Sequence, residues 1–135
     1  MSSDQAPDQA APVLLYVEDE FMTKDLVETA LQEAGFEVLA ASDGTRALGL
    51  LETTNGALRG LITDINLGDG PDGWEVARKA RAATSRLAVV YVSGASEHEW
   101  AEKGVPNSLM ISKPFAPAQI VVAISSLLVA ADAAP

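Results

Sequence analysis

Five short runs rich in Val, Ile and Leu alternate with five longer segments of helical period, and this alternation limits the fold more than any other feature of the chain. Such a pattern belongs to βαβ units around a parallel sheet, because a parallel strand returns only after a long crossover, usually a helix. The runs predict strands over 13–17, 36–40, 60–63, 87–92 and 107–111, with helices over 21–34, 44–54, 74–83, 96–103 and 117–130. Gly35 is placed to stop the first helix, Asp43-Gly44 to open the second and Asn55-Gly56 to end it, while Pro117 falls in the first turn of the last. Leu26, Val27, Ala30 and Leu31 recur at the three-and-four spacing of a buried helix face, as do Val76, Ala77 and Ala80, with Arg78, Lys79 and Arg81 expected on the wet side. The fourth helix is short and polar, with Trp100 equally readable as a packing residue or as an anchor on a partner-facing surface.

A chain of 135 residues fits one domain, expected over 13–130 between disordered tails at 1–12 and 131–135. The formal charge of -10 provides no basic stripe for nucleic acid or an anionic membrane, so neither is an expected partner. The absence of cysteine removes disulfides, thiolate metal sites and thiol catalysis. No signal peptide and no run of about 18 apolar residues is present, which makes a cytoplasmic location the expectation.

Polar groups cluster at the ends of four of the apolar runs. Glu18-Asp19 follows the first, Asp64 closes the third, Ser93 follows the fourth and Lys113 follows the fifth. In a doubly wound sheet the carboxyl ends of the strands share one rim, where ligands bind, so these side chains should converge there. Three carboxylates in one pocket repel each other unless a cation is bound or a pKa rises. An oxygen-only donor set favours Mg²⁺, which commonly takes one or two carboxylates together with phosphate oxygens. Lys113 and the Ser93 hydroxyl suit phosphoryl oxygens, and Asp64 is the natural nucleophile toward phosphorus. Taken singly, each residue has a plainer role: Asp64 as a turn former, Glu18-Asp19 as a helix cap, Ser93-Gly94 as a turn and Lys113 as a solvated charge.

Glu18-Asp19, Asp64, Ser93 and Lys113-Pro114-Phe115, with intervals of 45, 29 and 20 residues from Asp19 to Asp64 to Ser93 to Lys113, together resemble the response-regulator receiver domain of two-component signalling. The resemblance implies a flavodoxin-like (βα)5 sandwich with its parallel sheet in the order 2-1-3-4-5. It implies phosphorylation of Asp64 by a histidine kinase or histidine phosphotransfer protein, Mg²⁺ held by Glu18, Asp19, Asp64 and the Asn66 carbonyl, and phosphoryl sensing by Ser93 and Lys113. The peptide bond before Pro114 is implied to be cis. With one domain's length, it implies a stand-alone switch acting on a downstream protein, with room for a homodimer through helix four, strand five and helix five.

Two departures from the family pattern stand out. Met110 occupies the position where many receivers carry an inward-turning Tyr or Phe, so any switch there relies on repacking of a flexible side chain. The loop after Asp64 has Gly68 where Pro is frequent and is one residue longer through Asp69-Gly70-Pro71, which predicts mobility. Phe21 and Met22 read as a docking patch for the kinase, or as a hydrophobic staple for helix one. His98, the only histidine, is left out of the site, since a donor histidine requires a helical-bundle surface. Two other functions compete: a phosphate-independent interaction module and an Mg²⁺-dependent phosphatase with an Asp nucleophile. The latter would need a second Asp where this chain has Asn66. No other enzymatic activity is expected beyond self-phosphorylation from a phosphodonor and autodephosphorylation.

Overall fold

The computed structural model describes residues 10–133. Five strands, β1 (Val13–Val17), β2 (Glu37–Ala41), β3 (Gly60–Asp64), β4 (Ala88–Ser93) and β5 (Ser108–Ser112), form one parallel sheet in the order β2-β1-β3-β4-β5. This is the flavodoxin-like order expected from the sequence. The helices are α1 (Phe21–Glu33), α2 (Gly44–Thr54), α3 (Gly73–Ala83), α4 (Trp100–Lys103) and α5 (Pro117–Ala133), with a 3-10 turn over Glu97–Glu99 leading into α4.

Two apolar layers sandwich the sheet. Leu14, Tyr16, Ile62 and Val90 pack with Val27 and Leu31 of α1 and Ile120 and Ile124 of α5. On the other face Leu15, Leu61, Val89 and Tyr91 meet α2 and α3, where the Trp74 and Tyr91 rings lie 4.8 Å apart. The helix ends follow from local chemistry. Asp43 and Asp72 accept the backbone N–H groups of Arg46 and Glu75 at 2.8 and 3.0 Å, capping α2 and α3. After α1, Gly35 takes φ +100°, while its N–H donates to Gln32 and that of Phe36 to Leu31, a Schellman closure that favours glycine.

Several elements differ from expectation. β2 and β5 sit one residue later than their apolar runs, and Asp64 and Ser93 are themselves the last residues of β3 and β4. The ladder is made by backbone groups, so it continues past the apolar side chains: Asp64 still pairs with Val92, and Ser93 with Ser112. α5 continues to Ala133, so residues 131–133, expected in a tail, are helical. Of the expected amino-terminal tail, residues 1–9 lie outside the described residues, as do 134–135, while the Pro12 carbonyl accepts the Glu37 N–H at 2.9 Å. Leu26 is 60% exposed because α1 presents Val27 and Leu31 to the sheet. Arg81, expected to be solvated, is half-buried and donates from Nη1 to the Pro106 carbonyl at 2.6 Å, tying α3 to the loop before β5. No helix among the described residues is long and apolar enough to cross a membrane.

Candidate phosphoryl and metal site

The carboxyl ends of β1 and β3 bring Glu18, Asp19 and Asp64 together, with one carboxylate oxygen from each lying within 4.8 Å of the others. Glu18 and Asp64 are buried and Asp19 is exposed, so the cluster opens to solvent on one side. Burial pushes the Glu18 carboxyl up to about 7, a shift opposed by the N–H of Glu20, which donates to Oε2 at 3.1 Å, and reinforced by the charge of Asp64. Asp64 is held at both oxygens: Oδ1 accepts the Ile65 N–H at 2.9 Å and Oδ2 accepts Lys113 Nζ at 2.9 Å.

Lys113 reaches the cluster from the end of β5, with Nζ 3.8 Å from Glu18 Oε1 as well. Burial disfavours its charge, yet the hydrogen bond to Asp64 and the surrounding carboxylates prevail and raise its pKa above the ordinary lysine value. The backbone on either side of Lys113 is defined by its N–H donating to the Ser93 carbonyl at 2.8 Å and by the cis Lys113–Pro114 bond. Ser93 is buried, and its Oγ accepts from the N–H groups of Ala95 and Ser96 at 3.1 and 2.6 Å. The lone pairs of the hydroxyl are thereby taken up by its own turn, leaving its proton as the group it can offer.

Asn66 lies on the exposed start of the β3–α3 loop. That loop, expected to be mobile, is pressed onto α2: a Cβ on Gly44 would come within 2.1 Å of the Pro71 carbonyl oxygen, and one on Gly73 within 2.2 Å of that of Asp64. Gly68 and Gly70 supply the positive φ values, +78° and +90°, by which it turns.

Around this rim, capping of α1 belongs to Glu20, not to Glu18-Asp19, through acceptance of the Met22 and Thr23 N–H groups. Phe21 and Met22 are each 70% exposed, so neither acts as a staple. Beside them runs a groove between α1 and the β5–α5 loop, bordered by Leu26, Val27, Pro114, Phe115 and Pro117, of which Leu26, Phe115 and Pro117 were not foreseen as surface residues of the site. The exposed apolar run Phe21-Met22 was the sequence signal for that face. Met110 is half-buried on the opposite side of β5, paired with Tyr91 of β4. Tyr91 is a buried aromatic that the sequence reading overlooked; its hydroxyl accepts the Val105 N–H at 3.0 Å. Trp100 packs against the same layer and donates from Nε1 to Ser108 Oγ at 2.9 Å, which makes it a packing residue. His98 is exposed on the turn leading into α4.

A parallel sheet with three carboxylates and a lysine converging at one rim defines a class of α/β proteins equipped to hold a cation and an incoming anion together. The profile of the response regulator receiver domain family matches residues 14–125, and the chain belongs to that family. A response regulator receiver protein from Sinorhizobium medicae WSM419 is 41% identical in sequence, with a TM-score of 0.86 over 90% of this chain and 97% of that one. The aerobic respiration control protein ArcA of Escherichia coli K12 is 29% identical over 119 residues, 87% of this chain and 48% of ArcA. The chain thus spans about half the length of the curated relatives it matches. The receiver domain of the sensor histidine kinase PA1611 of Pseudomonas aeruginosa PAO1, solved with magnesium coordinated in its active-site cleft, shares the fold at 22% identity and a TM-score of 0.73, over 88% and 98% of the two chains. Receiver domains serve two-component systems as signalling modules, phosphorylated by histidine kinases or phosphotransfer proteins, and the acidic cluster here is consistent with an Mg²⁺ and aspartyl-phosphate site.

Proposed function

We propose that the chain is a phosphorylation switch in which Asp64 accepts a phosphoryl group from a histidine kinase or histidine phosphotransfer protein. The carrying observation is Lys113 Nζ at 2.9 Å from Asp64 inside a cluster that also contains Glu18 and Asp19. The donor set fits Mg²⁺: oxygen ligands only, three carboxylates in mutual contact range, and a Glu18 acid that burial, reinforced by the charge of Asp64, raises toward neutrality. Glu18, Asp19, Asp64 and the Asn66 carbonyl would hold the ion, which when bound neutralises charge on the transferring group.

An Asp64 carboxylate oxygen attacks phosphorus as the P–N bond to the donor imidazole breaks, its electron pair leaving with the imidazole, which takes up a proton. Lys113 then exchanges its bond to Asp64 for one to a phosphoryl oxygen, and the Ser93 proton is donated to another. Release of Lys113 and reorientation of Ser93 move the ends of β4 and β5. Tyr91 and Met110 lie on those strands, so repacking at Met110 passes the change to the face formed by α4, β5 and α5, where a downstream partner or a second copy of the chain would bind. Phe21 and Met22 flank the entrance on α1 and supply the docking contact for the phosphodonor protein.

Incubation with Mg²⁺ and a small acyl phosphate should give an acid-stable, base-labile phosphoryl label that Asp64→Ala abolishes; an unlabelled wild type would sink the proposal. Phe21→Ser with Met22→Ser should slow transfer from a histidine phosphotransfer protein while leaving labelling by the small donor unchanged. Equal loss with both donors would remove the docking role.

A further inference from the structure

A hydroxyl lies unbonded beneath the acidic rim. Tyr16 is 1% exposed, in the apolar layer between the sheet and helices α1 and α5, and its hydroxyl has no hydrogen-bond partner among the described residues. Leaving a buried hydroxyl unbonded is costly, so a donor in this position points to a state in which it is bonded. The strand register sets it under the carboxylates. Tyr16 pairs with Ile62, and two positions further along the same two strands stand Glu18 and Asp64. The Glu18 N–H donates to the Ala41 carbonyl at 3.0 Å, so the alternation of β1 continues through it. Tyr16 and Glu18 therefore project to the same face, about 6.6 Å apart along the strand.

Burial, followed by the charges of Glu18, Asp64, Glu20 and Glu28 in that order of strength, holds the Tyr16 hydroxyl protonated well above the ordinary tyrosine value. It is a fixed donor in the field of four acceptors. Asp64 already has Oδ1 on the Ile65 N–H and Oδ2 on Lys113 Nζ. Glu20 has Oε2 on the Met22 N–H and Oε1 on the Thr23 N–H, and Glu28, on α1, acts most weakly. Glu18 accepts the Glu20 N–H at Oε2, but Lys113 Nζ stands 3.8 Å from Oε1, beyond hydrogen-bond range.

We propose that Tyr16 is a positioning residue for the metal site, its hydroxyl donating to the Glu18 carboxylate when the ion is bound. This rests on the reading of the acidic rim as an Mg²⁺ site. A ligating carboxylate keeps its orientation through hydrogen bonds from groups behind it, and the Tyr16 hydroxyl is a donor set to supply one from the protein interior.

Calorimetric titration of the full chain with MgCl₂ should find Mg²⁺ affinity about tenfold weaker in Tyr16→Phe than in wild type. Urea denaturation in EDTA should find the variant no less stable, since the hydroxyl it loses is unbonded there, while its gain in stability from Mg²⁺ should be smaller. The wild type gives a readout that needs no variant. With tyrosine labelled at Cζ, in mixed H₂O and D₂O, Mg²⁺ should slow exchange of the Tyr16 hydroxyl proton, seen as an isotope-split Cζ signal. The signal of Tyr91, the other tyrosine, should not respond, because its hydroxyl already accepts the Val105 N–H in the opposite layer. Glu28→Ala should keep the Tyr16 response. Equal Mg²⁺ affinity in wild type and Tyr16→Phe, an equal loss of stability with and without Mg²⁺, a hydroxyl exchange rate that Mg²⁺ leaves unchanged, or loss of the response in Glu28→Ala would overturn the role of Tyr16 and leave the metal reading standing. A wild type that binds no Mg²⁺ would overturn both.

Discussion

Replacing Glu18 by Gln isolates the energetic tension at the acidic rim. In the metal-free protein burial and the nearby Asp64 hold the Glu18 acid at about 7, against an ordinary value of 4.5. Between those two pH values the folded chain retains a proton that the unfolded chain has released, so this group's contribution to stability falls as pH rises through the window and is level above it. At about 1.4 kcal/mol per pH unit the interval caps the effect near 3 kcal/mol. Solvent at the open side of the cluster, where Asp19 is exposed, screens it, giving an expected range of about 1–3 kcal/mol. Glutamine keeps an acceptor for the Glu20 N–H and removes the charge. Urea denaturation in EDTA should therefore find Glu18→Gln more stable than wild type by about 1–3 kcal/mol at pH 8, with little difference at pH 5. In excess Mg²⁺ the order should reverse, because wild type gains ligand-binding free energy that the variant has partly lost. A difference between the two proteins that is the same at pH 5 and pH 8 would refute the reasoning.

Removing the cation should act in the opposite sense. Lys113→Met leaves Asp64 and Glu18 facing each other without the ammonium now 2.9 Å from Asp64, and should cost about 1–3 kcal/mol in EDTA, part of it restored by Mg²⁺ in the same denaturation assay; no measurable loss would mean that the pair contributes nothing net. Gly44→Ala places a Cβ against the Pro71 carbonyl and should cost about 1–3 kcal/mol while slowing acyl-phosphate labelling, because the loop that follows Asp64 has to shift. Gly49→Ala on the same helix, with nothing within 4 Å of the added carbon, is the control and should raise the thermal midpoint, by about 1 kcal/mol or less in stability.

The strand count, the sheet's parallel character and the rim residues were readable because each depends on short-range information: an apolar run, a crossover segment, a polar residue where the run stops. The strand limits were not fully readable. An apolar run ends at its last greasy side chain, whereas the ladder is built from amides and extends through Asp64, Ser93 and Ser112. Three-and-four spacing allowed Leu26 and Ala30 as easily as Val27 and Leu31 to face inward, and only the angle at which α1 meets the sheet and α5 left Leu26 at the edge of a groove. Arg81 looked like its neighbours Arg78 and Lys79 because nothing local announces that the loop before β5 will pass within reach of its guanidinium.

What the sequence by itself determined is the set of chemical groups and the strand ends that carry them: Glu18, Asp19, Asp64, Ser93 and Lys113 were identifiable from residue type and position in a βαβ pattern. What only the tertiary structure decided is how those groups are engaged. The placement of Lys113 Nζ on Asp64, the raised pKa of Glu18 and the turning of the Ser93 hydroxyl toward Ala95 and Ser96 depend on separations of 2.6–3.8 Å between residues up to 95 positions apart, from Glu18 to Lys113. Electrostatic and hydrogen-bond energies vary steeply over those distances and with burial, quantities that no local pattern of residues encodes.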